Sequence, residues 1–369
     1  MADSFARAAL CSILVASSTC LGRGSVPGTQ DEKWVTLAPM NIARQETGAA
    51  RVGPLVYVVG GLLSGAPFSA TDSVEAYHIV SNTWSFVAPL PVRLDHMATT
   101  AIGGKLYVIG GYSADFLARN EMWVYDPAMD AWESGPPLPS PRGACWAVAH
   151  QERIYLFGGR DGGGVTRRTT FIFDPQTQQW STGADMPTAR EHLTATAEGE
   201  FIYVLGGRNG ASTNVNERYD PTNHQWATMA PMPTARSATA TAALGGRIYV
   251  AGGEVPMLFD VNEVYEPALD AWTTATPMPL PRHGIAAVAL DDRILTPAGG
   301  TVQGLAPTNA VDSFVPARSP SVPAISPSGL VFTAVSLALA GVMVTAKRRM
   351  HRTARRLGTS SVASSHTRR

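Results

Sequence analysis

An all-β fold made of six copies of one four-stranded antiparallel unit is what the sequence predicts, and three phased markers carry that prediction. Gly-Gly pairs begin at Gly60, Gly110, Gly158, Gly206, Gly252 and Gly299, at intervals of 46 to 50 residues. Tryptophans stand at Trp34, Trp84, Trp132, Trp180, Trp226 and Trp272, each 26 or 27 residues before the next pair. Arginines follow those tryptophans by nine or ten residues, at Arg44, Arg93, Arg142, Arg190, Arg236 and Arg282. Six phased copies of three markers define a repeat whose units bury their apolar faces only by stacking on one another. Composition agrees, since 35 Gly and 27 Pro among 369 residues, 45% of them apolar, suit short strands and tight turns and exclude wholesale disorder.

In chain order, residues 1–22 read as a secretory signal peptide, because Ala8 to Leu21 is apolar and small-residue-rich and follows a single Arg7. Its removal leaves Cys145 as the last of three cysteines, so no internal disulfide is expected and packing must hold the fold. Residues 23–30 form a short N-terminal segment before the repeats.

The fifth copy shows the unit most plainly. Ala238 to Leu244 alternates small and apolar residues, a Gly-Gly turn follows, and then come Arg247 to Ala251, Asn262 to Tyr265 and Ala271 to Thr273. Four stretches of this length make one antiparallel sheet. The glycine pair after the second strand removes two side chains where another element must approach closely. Proline after Tyr125-Asp126, Phe173-Asp174, Tyr219-Asp220 and Tyr265-Glu266 ends the third strand, because it cannot donate to a ladder.

Two departures stand out. The sixth copy reads Ile294-Leu295-Thr296-Pro297-Ala298, one residue longer and with a proline, which predicts a bulged second strand. The second and third copies carry Trp123 and Phe171 where Glu75, Glu217, Glu263 and Asp312 stand in the others, so these units lack an acid for the repeated arginine.

Beyond the repeats, residues 316–328 form a Pro/Ser-rich stalk. Residues 329–346 hold 18 uncharged residues, and as a helix rising about 1.5 Å per residue they reach roughly 27 Å, enough for one bilayer crossing. Residues 347–369 then carry eight Lys/Arg and no Asp/Glu. The basic flank is expected to stay cytoplasmic, placing the body outside in a single-pass type I topology. Insertion as a tail anchor with the body in the cytosol is the alternative. Without the tail the chain holds 21 basic against 29 acidic side chains, a balance that argues against nucleic-acid binding.

The repeat resembles the kelch motif: Arg, a small-apolar strand, Ile-Tyr-Val-x-Gly-Gly, a variable loop, Glu-x-Tyr-Asp-Pro, five residues and Trp. The resemblance covers residues 31–315 and implies a six-bladed kelch-type β-propeller with four antiparallel strands per blade, followed by one C-terminal transmembrane helix. It also implies a closure. Trp34 to Met40 is a fourth strand with no first three before it, and Ile285 to Phe314 supplies three strands without a fourth, so the N-terminal strand should complete the last blade.

Repeat symmetry places the six arginines just before the innermost strands, around one mouth of the central channel. Arg160 and Arg208 follow Gly-Gly pairs, and His96, His192 and His283 lie one to three residues from repeated arginines. These eleven residues are the candidate ligand-binding set, and Arg93, Arg142 and Arg190 are the ones expected to be free, given the missing acids. Pairing of each arginine with a carboxylate, as a fastener, is the competing expectation. No catalytic residue, metal or cofactor is assigned. Copper oxidases of the galactose oxidase type share kelch-like blades, but the sequence shows neither a spare cysteine nor clustered histidines. Ubiquitin-ligase adaptors of the family carry further domains upstream, for which about 30 residues leave little room. The reading is a membrane-anchored recognition module that binds a protein or glycan through one loop-rich, Arg-lined face. The alternative is an exported sugar epimerase-like enzyme of the sialic acid type.

Overall fold

A computed structural model describes residues 31–65 and 69–317. The expected signal peptide, residues 23–30, most of the stalk, the span over 329–346 and the basic tail lie outside the described residues. Among the described residues, no helix is long and apolar enough to cross a membrane.

Six four-stranded antiparallel sheets follow one another as blades. Blade 1 comprises Gly48–Val52, Leu55–Val59, Val74–His78 and Thr83–Phe86; blade 5 comprises Ala240–Leu244, Arg247–Ala251, Asn262–Glu266 and Ala271–Ala275. Blades 2, 3 and 4 open with Ala98–Ile102, Trp146–His150 and Thr194–Glu198. Blade 6 takes Val288–Ala289, Ile294–Pro297 and Val311–Val315 from the end of the repeats and its outer strand, Lys33–Thr36, from the beginning. Trp34 pairs with Phe314 and Thr36 with Asp312, which closes the circle and covers the edge of Val311–Val315. The innermost strands adjoin one another in cyclic order. Small residues fill them because six strands converge on one axis; a Cβ on Gly48 would lie 1.9 Å from Thr99 Oγ1 of the next blade.

The repeated tryptophans join blades. Each indole N–H donates to a carbonyl of the preceding blade's segment: Trp84 to Ala38, Trp132 to Ala88, Trp180 to Pro136, Trp226 to Ala184, Trp272 to Ala230 and Trp34 to Thr276, at 2.8 to 3.0 Å. Each ring also packs on the aromatic residue of its third strand, as Trp84 does on Tyr77 and Trp272 on Tyr265, both with centroids 5.0 Å apart. The glycine pairs serve the same seams. At Gly110, φ is 63°, and a Cβ there would lie 2.3 Å from the Arg142 carbonyl oxygen of blade 3. The next residue, Gly111, donates its N–H to that same carbonyl.

Blade 6 departs from the expected bulge. Its second strand pairs without interruption from Ile294 opposite Phe314 to Pro297 opposite Val311. Ala298 takes the place of the first glycine, at φ 62°, and Gly299, at φ 108°, takes the place of the second and donates to the Arg44 carbonyl. The visible Gly-Gly pair therefore lies one residue out of phase, and the unit has ordinary length. Pro297 is accommodated on this strand without a break in the register.

Candidate functional site

Because neighbouring strands alternate in direction, the links between second and third strands emerge on the same face as the links between blades. The channel mouth on that face is built from the residues just after the repeated arginines. Glu46, His96, Ala144, His192, Ala238 and Gly284 occupy equivalent places, one per blade, all with φ between 48° and 56°. Their backbones form a closed ring. Glu46 N–H donates to Gly284, His96 to Glu46, Ala144 to His96, His192 to Ala144, Ala238 to His192 and Gly284 to Ala238, at 2.8 to 3.0 Å. The left-handed conformation aims each N–H at the neighbouring blade, and six such bonds circle the axis. Of these six side chains, only Glu46, His96 and His192 carry polar chemistry.

Four of the six arginines are not at the mouth; they are buried inside their own blades. Arg44, Arg190, Arg236 and Arg282 are fully buried and pair with Glu75, Glu217, Glu263 and Asp312. Arg44 shows the pattern, donating to the Ser73 carbonyl at 2.6 Å and to Glu75 Oε1 at 2.9 Å. The guanidinium thus ties the link between blades to the second and third strands. Burial lowers the pKa of Arg44 and Arg282 to about 10, against the raising effect of their carboxylate partners. The expected set of free arginines is corrected in two ways. Arg190 finds its acid within its own blade. Arg142, facing Phe171 in place of an acid, is also buried, with its guanidinium 5.1 Å from the Phe171 ring centroid and bonds to Pro141 O at 2.7 Å and Thr169 Oγ1 at 2.8 Å. Burial lowers its pKa.

Arg93 is the exposed one, with 70% of its side chain accessible and Asp72 3.9 Å away. The reason lies in its nine-residue spacing from Trp84. The residue two before the ring position is Arg in the other five blades and Leu94 in blade 2, where Leu94 is buried in the apolar cluster against which Trp123 packs. An apolar Leu94 and Trp123 pair replaces the ion pair, and Arg93 is displaced by one residue to the surface.

Histidines and acids, rather than the repeated arginines, converge on the axis. His96 and His192 pack with ring centroids 4.9 Å apart. Each is held through Nδ1 by the carboxylate of the residue before it, Asp95 Oδ1 and Glu191 Oε2, both at 2.5 Å. His96 Nε2 lies 3.4 Å from Glu46 Oε2, and His283 Nδ1 lies 3.5 Å from both Glu46 Oε1 and Glu254 Oε2. Arg208 bridges Glu191 and Glu254 at 2.8 Å and donates to His192 Nε2 at 3.1 Å. Arg160 stands apart from this cluster, exposed and bonded to the Gly164 carbonyl. Sequence separation hides the clustering of histidines; the positive-φ ring places them side by side.

The electrostatics follow from this crowding. Burial alone would raise the Glu46 carboxyl, but the charge of His96, the close approach of His283 and the charge of His192 hold it well below the usual carboxylate range. Burial likewise opposes ionisation of Glu191, yet the hydrogen bond and charge of His192 and the Arg208 guanidinium bring it down to about 2. Asp95 moves upward through burial, only partly offset by His96. His96 and His283 lie above the ordinary imidazole value, because neighbouring carboxylates outweigh the burial that lowers them. A cavity of about 40 Å³ adjoins the ring, lined by Glu46, His96, His192, Cys145 and their neighbours. A wider cleft of about 660 Å³ lies between blades 2 and 3 on the opposite face, where Lys105 and Glu133 form its exposed ion pair.

Comparison with known proteins agrees with this architecture. The profile of the "KLHDC2/KLHL20/DRC7 Kelch-repeats domain" matches residues 46–253, and that of the "Kelch motif" matches residues 235–279. The Kelch-like protein terF of Aspergillus terreus is 36% identical over 100 residues, which is 26% of this chain and 22% of that protein. The Kelch-like protein 28 of Homo sapiens is 31% identical over 98 residues, 25% of this chain and 17% of that protein. The matched segments thus span about a fifth of these relatives. The solved structure titled "Structure of YjhT" superposes with a TM-score of 0.66 at 17% identity, covering 74% of this chain and 95% of that one, which shows likeness of fold. With more than half its length matched by the family profile and six blades closed through the N-terminal strand, this chain belongs to the kelch-repeat family.

Proposed function

We propose that the propeller is a recognition module that holds a protein partner on the face where the ring and the links between second and third strands emerge. One observation carries this reading. Of the nine most exposed large apolar side chains among the described residues, five sit on those links in four different blades: Phe116, Leu117, Val165, Met257 and Val302, each 47% to 60% accessible. Side chains so placed on the links of one face offer a partner several apolar contacts at once. A binding role also accords with the kelch repeat as a protein-binding module.

The same proposal attaches this module to a membrane. The uncharged run over 329–346 with its basic flank supports a single crossing, and the apolar N-terminal segment supports export, so that the propeller faces outward or into a lumen.

Affinity capture with the full-length protein in its own membrane tests the first part. Replacing Phe116, Leu117 and Met257 by Ser should abolish recovery of a specific partner, while replacing Val80 and Leu269, on the opposite face, should leave it intact. Equal loss with both sets would refute the assignment of the face. For the second part, N-terminal sequencing of the membrane-bound product should find roughly the first 20–25 residues removed, with the propeller shielded from protease added on the cytosolic side and the basic tail cut by it. A retained Met1 with the propeller on the cytosolic side would overturn that topology.

A further inference from the structure

We propose that Glu46, His96 and His192 form a binding site on the propeller axis for one divalent transition-metal ion of the zinc class. Their donor atoms all lie within 4.8 Å of one another, and they project from equivalent positions of the hydrogen-bonded ring. Two nitrogens and a carboxylate oxygen, with a fourth place left to water, are a donor set that zinc takes readily. The cavity of about 40 Å³ beside them has room for that water.

Three features beyond proximity point to an ion. First, the rings are oriented as in metal sites, where a ligating histidine gives its other N–H to a carboxylate. Asp95 and Glu191 hold Nδ1 of His96 and His192 in this way, leaving both Nε2 atoms as the donors. Second, a His96 that gives its Nδ1 proton to Asp95 turns an Nε2 lone pair toward the Glu46 carboxylate at 3.4 Å. Either a proton on Nε2 or a metal ion satisfies that contact, and the two compete for the same place. The gap also matches the edge of a tetrahedron with bonds of about 2.0–2.1 Å, which is roughly 3.4 Å. Third, four carboxyl groups, those of Glu46, Asp95, Glu191 and Glu254, are largely buried in this cluster, and the Arg208 guanidinium reaches only Glu191 and Glu254, leaving Glu46 and Asp95 to the histidines. The Arg208 bond to His192 Nε2 would be surrendered to the ion, and Arg208 would keep Glu191 and Glu254. The rigid ring spaces the three ligands, which come from blades 1, 2 and 4, so little ordering remains when the ion enters.

Cobalt titration of the chelator-stripped full-length chain tests this site. Co²⁺ should bind with a stoichiometry of one and give visible d–d absorption, be displaced by Zn²⁺ and resist an equal excess of Mg²⁺, which prefers an all-oxygen shell. The imidazole N–H protons of two histidines should appear as paramagnetically shifted resonances in the unaltered protein. Glu46→Gln and His192→Gln should weaken binding more than a hundredfold. Asp95→Asn and Glu191→Gln, which touch the ligands rather than the ion, should weaken it by about 10–100-fold. His78→Ala, on an exposed strand end, should leave affinity unchanged. Melting of every variant separates loss of the ion from loss of the fold. The assignment is overturned if the unaltered chain takes up no Co²⁺, if no shifted histidine N–H signals appear, if Mg²⁺ displaces Co²⁺, or if folded Glu46→Gln and His192→Gln bind as the parent does.

Discussion

Replacement of Arg236 by Leu is the sharpest test of what the repeated arginines do. The guanidinium is fully buried and meets Glu263, the Thr234 carbonyl and, at 2.8 Å, the Val250 carbonyl. Without it, Glu263 stays 1% exposed with Thr234 Oγ1, at 2.7 Å, as its remaining side-chain donor. An orphaned buried charge costs about 3–5 kcal/mol. At about 2–4 °C per kcal/mol for domains somewhat smaller than this one, melting should fall by roughly 6–20 °C. Chemical unfolding followed by tryptophan fluorescence measures the free energy directly. Blade 2 supplies the companion experiment, because Leu94 and Trp123 occupy the same two places there without charge. Arg236→Leu combined with Glu263→Trp should therefore be more stable than Arg236→Leu alone by more than about 1 kcal/mol, within the range of coupled neighbours. A loss below about 1 kcal/mol for the single change, the range of an exposed pair, would refute the fastener reasoning.

Other expectations follow from the same geometry. Arg93→Ala should leave melting within about 0.5 kcal/mol of the parent, as at ordinary surface positions; a larger loss would mean that its contact with Asp72 matters. Deleting residues 31–40 removes the outer strand of blade 6 together with the Trp34 bond to Thr276, and melting should drop markedly, so an unchanged curve would contradict closure through that strand. Gly110→Ala should destabilise by more than the roughly 1–2 kcal/mol of left-handed strain alone, since its Cβ would meet the Arg142 carbonyl oxygen; wild-type stability would show that this seam can open. Burial raises the Cys145 thiol to about 12, so at pH 8 roughly one molecule in ten thousand holds a thiolate, and a thiol reagent should label Cys145 only on unfolding. Rapid labelling of the folded chain would place Cys145 elsewhere.

What the sequence determined by itself is whatever recurs with the repeat. Six tryptophans and six glycine seams recur because every blade meets its neighbour in the same way, so the same steric and hydrogen-bonding demands return at each copy, while the acid of the third strand recurs only in the four blades whose arginine it holds. From these the blade number, the strand order and the closure through Trp34 could all be read. The sixth glycine pair misled by one residue, because Ala298 adopts the left-handed conformation that a glycine marks elsewhere. Arg93 misled likewise, since an arginine near the expected place masked the true occupant, Leu94. Where the charges go was settled by packing: Arg142 is buried against Phe171 with no acid opposite, held by Pro141 O and Thr169 Oγ1, whereas Arg93, one residue out of place, is exposed. The axial cluster was hidden for a related reason. Glu46, His96 and His192 are far apart along the chain and share their ring position with Ala144, Ala238 and Gly284, while His283 stands one residue before that position, so no motif links them. They meet because six positive-φ residues, one per blade, bond in a circle and bring their side chains together around a single axis.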